Sequence, residues 1–105
     1  MSPTIVTVTG ELFGWRNTGG VVGTYLKIEG EDAETIRAHE IHSRILNGKR
    51  RGFGLVKVEA ICGESEWETS VFPQDYGWFL PVKGAVRRAE GLAEGDRAEV
   101  ELTLL

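Results

Sequence analysis

The chain has 105 residues and a formal net charge of −4. A chain of this length fits one domain and can bury about two-thirds of its extended surface, enough for a core without metal or disulfide staples. The acidic balance weighs against a protein that tracks nucleic-acid phosphates, whose footprint is a basic face. With 41% of residues apolar, global disorder is excluded.

One cysteine, Cys62, rules out an intramolecular disulfide and suits a reducing compartment. No stretch reads as a signal peptide or membrane span, so a cytoplasmic protein without a membrane partner is expected. Charge is unevenly spread. From 44 to 58 every charged residue is basic (Arg44, Lys49, Arg50, Arg51, Lys57), while acids crowd 29–34 and Glu64, Glu66 and Glu68.

In chain order, "TIVTVTGELFGWR" alternates polar and apolar residues and predicts a strand, with Gly10 and Gly14 where it bends. "NTGG" at 17–20 is turn chemistry and "VVGTYLKIE" a second strand, so 5–29 reads as a long hairpin. "EDAETIRAHEIHSRILNG" predicts a helix, with acids in its first turn and Asn47-Gly48 as its stop. Ala38, Ile41 and Ile45 have the spacing of its buried face.

"GLVKVEAIC" and "SEWETSVF" predict two more strands, and "WFL" a short one ending at Pro81. A short helix is expected over 82–90, with Val82, Ala85, Val86 and Ala89 inward and Gly91 as terminator. "RAEVELTLL" closes the chain as a strand, with Ala98, Val100, Leu102 and Leu104 on one face.

The predicted order is ββαβββαβ. It implies one mainly β (α+β) domain over 1–105, a closed or split barrel of about six to seven strands capped by two helices. "YLKIE…TIRAHEI" echoes "FLPVK…AVRRAEG", each a strand running into a helix with an apolar-Arg pair, which hints at an internal repeat.

"RGFGLVKVEAICG", "GESEWETSVFP" and "LPVKGAVRRAEGLAEGD" together resemble the signature of a bacterial family, domain of unknown function nineteen-oh-five. The resemblance implies a small barrel-like domain, found alone or as a module, with no established activity. Val86-Arg87, Gly91-Leu92 and Gly95-Asp96 are also similar to pairs in the swapped-hairpin barrels of AbrB- and MazE-type regulators. That second likeness implies one chain holding the whole barrel. The regulators' DNA-contacting hairpin has no counterpart here, so their DNA contacts do not transfer.

Candidate chemistry is sparse. His39 and His42 lie three apart on the first helix and reach metal spacing only with a third ligand such as Glu40 or Cys62; solvent-side histidines are the plainer reading. Cys62 shares an apolar strand face and reads as an inert thiol. Ser70, Asp75 and the histidines lack any nucleophile-elbow pattern. "GKRRGFG" lacks phosphate-loop spacing and reads as a solvated loop. Trp67, Trp78 and Phe79 read as core.

Lys83 and Arg87 are four apart on one helix face, with Arg87 expected to turn inward onto barrel carbonyls or Asp96. If a ligand binds, it is expected to be a small anion held by Lys83, Arg87 and Arg51 at the barrel mouth.

The function expected is therefore that of a soluble, non-catalytic binding or accessory module without cofactor or metal. Its partner would be a small anion or a fused or partner protein, and the chain a monomer or weak dimer. Two alternatives stand beside it: a DNA-binding transcription or antitoxin-like regulator, disfavoured by net acidity, and a small-ligand enzyme with its site at the barrel mouth.

Overall fold

The computed structural model describes residues 3–16, 18–19, 22–47 and 54–105. The order is β1 (Thr4–Arg16), β2 (Val22–Ile28), α1 (Gly30–Asn47), β3 (Val56–Cys62), β4 (Ser65–Gln74), β5 (Gly77–Pro81), α2 (Gly84–Glu90) and β6 (Arg97–Leu104). All neighbours pair antiparallel, and the strands close in the order β1-β2-β5-β4-β3-β6. The expected ββαβββαβ barrel is the fold, with six strands.

Two long strands make closure work by changing partners. β1 pairs with β6 over Thr4–Glu11 and then with β2 over Leu12–Arg16. β4 pairs with β3 over Ser65–Val71 and then with β5 over Phe72–Gln74. Such switches turn the corners between two sheets whose inner faces pack together. Gly10 sits at the first corner, against the Leu26 side chain and the Lys27 carbonyl.

The connectivity is two-fold symmetric: β1-β2-α1-β3 maps onto β4-β5-α2-β6, and every strand pairing maps onto another or onto itself. "YLKIEG" (25–30) and "FLPVKG" (79–84) occupy equivalent places, each ending on the first residue of a helix. The halves are cross-tied. The Trp78 indole N–H of β5 donates to the Ala33 carbonyl at 3.0 Å, and the Thr24 hydroxyl of β2 donates to the Val82 carbonyl at 2.9 Å.

Period-2 alternation fills the interior. Val6, Val8 and Leu12, Leu26 and Ile28, Val56, Val58 and Ala60, Val71, Leu80, and Val100 and Leu102 are all buried. Each helix covers one of the gaps that open where a corner strand leaves its former neighbour.

Two expectations about the helices are corrected. The buried face of α1 is Ala33 and Ile36, whereas Ala38 is exposed and Ile45 is 74% exposed. Further along α1, Ile41 borders a hollow with Pro73 and Trp78 and stays 39% exposed, so the later apolar spacing does not enter the core. α2 starts at Gly84 rather than Val82, and Ala85 and Ala89 face solvent. The cause is that Val82 is tied to Thr24 through both its N–H and its carbonyl, which keeps the chain extended through Lys83 (φ −67°, ψ 156°).

Gly91 ends α2 in the left-handed region (φ 65°), where the Leu92 N–H reaches the Arg87 carbonyl at 2.8 Å. Gly95 (φ 94°) then turns the chain so that its N–H meets the Leu12 carbonyl.

Leu102 is fully buried; Leu102→Ala should lose about 2–5 kcal/mol in chemical denaturation through the cavity it leaves. Gly95→Val should lose about 1–3 kcal/mol through positive-φ strain. Near-native denaturation midpoints for both variants would contradict this packing.

Candidate functional site

β4 has ten residues but pairs with β5 only over Phe72–Gln74, and β5 ends at Pro81. The Trp67–Thr69 stretch therefore borders a gap, with Gly23 and Thr24 of β2 on the far side and the start of α2 across the end. What remains is a cleft of about 240 Å³, walled by Trp15, Trp67, Thr69, Pro81 and Val82 and carrying Lys83 and Arg87. Glu68 adds a carboxylate at its exposed rim. The Trp15 ring packs onto Gly23, its cross-strand partner, where any Cβ would collide with it. A larger residue at 23 would push Trp15 out of this wall.

Both cations singled out from the sequence line the cleft: Lys83 as the exposed N-cap of α2, Arg87 half-buried one turn on. The third, Arg51, lies outside the described residues, as do Lys49, Arg50 and most of the "GKRRGFG" loop. The expected bond from Arg87 to Asp96 is not made. The Asp96 carboxylate instead accepts from the Ala93 N–H at 2.8 Å, which closes the turn before β6.

Two donors in the cleft wall are unpaired. Arg87 Nε and Trp67 Nε1 are both buried and have no hydrogen-bond partner among the described residues, and Trp67 as a whole is only 8% exposed. Native interiors pair nearly all such groups, because a buried donor without an acceptor costs about 1–3 kcal/mol. The sequence alone could not reveal this pairing of Trp67 with Arg87. Trp67 reads as an ordinary core residue, and it reaches α2 only through the corner in β4.

The symmetry-related gap, beside α1, differs in charge. Its hollow of about 320 Å³ mixes Glu11, Glu29 and Asp32 with Lys27 and Arg97. No unpaired buried side-chain donor lies in its wall among the described residues.

The remaining candidates are dispersed. His39 Nε2 lies 3.0 Å from the Leu105 carbonyl oxygen, while His42 is exposed. Among the described residues no three of His, Cys, Asp and Glu stand close enough to hold a metal ion. Ser70 on β4, Asp75 in the following turn and the histidines share no described hydrogen bond. Trp78 is core, but Phe79 points outward, in a row of rings with Tyr25 (4.6 Å) and Phe72 (5.9 Å).

Cys62 is buried and unpaired with another cysteine. Burial, and secondarily the Glu90 carboxylate, push its thiol above the ordinary 9.0. Glu90 is itself held by the Ser65 hydroxyl, which donates to Oε2 at 2.6 Å.

The comparison that decides family membership is a match to Domain of unknown function (DUF1905) over residues 9–102, nearly the whole chain. The chain belongs to the DUF1905 family. No curated protein matches it. The described part of the DUF1905 chain holds no helix long and apolar enough to cross a membrane.

A thiol raised above its usual range stays protonated at neutral pH, so Cys62 should react with a disulfide reagent at pH 8 at least ten times more slowly in the native protein than in denaturant. The raised value also means that the contribution of Cys62 to stability is fully present below the ordinary 9.0 and is lost as pH climbs through the native value. Equal labelling rates with and without denaturant would show an accessible thiolate instead.

Proposed function

We propose that this domain is a non-catalytic binding module that takes a small anion in the cleft beside α2, held by Lys83 and Arg87. The observation that carries the reading is the pair of buried, unpaired donors, Arg87 Nε and Trp67 Nε1, in the wall of one cleft. An acceptor oxygen that reached either donor would supply a missing bond, and a bond from a charged donor contributes about 1.5–3 kcal/mol. Lys83, exposed at the mouth, adds long-range attraction that ionic strength screens.

A catalytic role has less support. Among the described residues no nucleophile hydrogen-bonded to a base lines the cleft, and Thr24, its buried hydroxyl, is committed to the Val82 carbonyl. A binding module that presents its ligand to a fused or partner protein fits the small size of the domain and its two-fold scaffold.

Isothermal titration with inorganic phosphate tests the reading. Wild-type protein should bind one equivalent, and Arg87→Met should weaken binding at least tenfold, which is about 1.4 kcal/mol. Lys83→Ala should weaken it less and flatten the salt dependence. Arg87→Met should also keep or slightly raise the stability of the free protein, because a buried donor without a partner is removed. Loss of about 2 kcal/mol or more in the free variant would assign Arg87 a structural role instead.

A further inference from the structure

Trp15 borders two hollows. One is the cleft beside α2; the other is a groove of about 380 Å³ on the outer barrel face, lined by Trp15, Tyr25, Lys27, Gln74, Tyr76 and Phe79. The groove is aromatic by construction. Alternation sends Leu12, Leu26 and Leu80 inward, so Phe13, Tyr25 and Phe79 must face out, where neighbouring strands bring them into a continuous row. Ring centroids are 5.8 Å apart from Phe13 to Tyr25 and 4.6 Å from Tyr25 to Phe79. Lys27 spans the row, with Nζ 4.6 Å from the Phe13 centroid and 4.9 Å from that of Tyr76. Among the described residues no acidic side chain lines this groove, although burial, Tyr25 and the nearby Glu29 together hold the Tyr76 hydroxyl protonated.

We infer that cleft and groove are two ends of one site for an aromatic anion, with the anionic group beside Arg87 and Lys83 and the flat ring against Trp15 and Tyr25. The inference rests on the anion reading above and adds the ligand's body.

The spacing sets its dimensions. Pro81 is the cross-strand partner of Tyr25, and Lys83 lies two extended residues beyond it. Two residues of extended chain span roughly 7 Å, so the backbone positions that carry the two ends of the site stand about that far apart. A nucleoside monophosphate has this form; an inorganic anion fills only the cleft end. Trp15 is 42% exposed, an open ring face at the junction of the two hollows. Rings of this kind stack flat partners with little preference for their substituents. Lys27 places a second positive charge at the groove end, compatible with a ligand that is anionic overall.

The test compares four probes by titration and by indole and aromatic NMR shifts: adenosine monophosphate, indole-3-acetate, inorganic phosphate and acetate. At least one aromatic anion should bind tenfold or more tightly than the simple anion sharing its head group, and should shift the Trp15 and Tyr25 ring signals. Trp15→Ala, at a half-exposed outward position, should bring that affinity down to that of the simple anion while the melting temperature holds.

Success with adenosine monophosphate alone assigns a phosphate head, and success with indole-3-acetate alone a carboxylate head; either supports the inference. Equal affinities within each pair, with phosphate binding retained, would overturn the aromatic body and leave the anion site standing. No binding by any probe would remove both.

Discussion

The fold depends on two strands each belonging to two sheets. β1 and β4 exchange one neighbour for another part-way along, β1 between Glu11 and Leu12 and β4 between Val71 and Phe72. If either strand kept one partner throughout, the sheet would lie open and both edges would present unpaired backbone groups. The switch closes the cylinder and buries Leu12, Val71, Leu80 and Leu102 together. It also opens a wedge at each corner, because the strand that departs leaves a former neighbour uncovered.

The wedges are where function has room. Both are bridged by a helix that follows a short strand, by the same β-β-α succession in each half of the chain. α1 has eighteen residues and inserts Ala33 and Ile36; α2 has seven and inserts Val86. Beside the shorter plug Trp67 Nε1 and Arg87 Nε are buried with no partner among the described residues, while the longer one supplies the Ala33 carbonyl that satisfies Trp78. Two indoles on neighbouring strands thus meet different fates. Buried donors without partners are rare in native interiors, and here both belong to residues that line one cleft.

Much of the architecture was legible because its signal is local. β3 and β6 alternate without interruption, and burial follows that alternation residue by residue. Proline, glycine and charge punctuation placed both helices and all six strands in order. The failures arose where distant segments decide. Ile41 and Ile45 have helical spacing, but Ile41 only borders a hollow with Pro73 and Trp78 and Ile45 is 74% exposed, so neither joins the core. Val82 reads as the first helical residue, yet its bonds to Thr24, far away in sequence, hold it extended. Lys83 and Arg87 could be named as a pair from their four-residue spacing. Trp67 could not join them, since only a corner in β4 brings it to α2, and Phe79 could not be told from a core aromatic until the register fixed which way it faced.

Cross-strand nuclear Overhauser effects, recorded on a sample mixing isotope-labelled and unlabelled chains, test most directly whether one chain closes on itself through its corner strands. Contacts between Thr7 and Glu101 and between Phe13 and Tyr25 should both arise within single molecules. If the first contact is absent, or appears only between labelled and unlabelled partners, then the cylinder is open or shared between chains, and the wedges and the cleft built on them lose their basis.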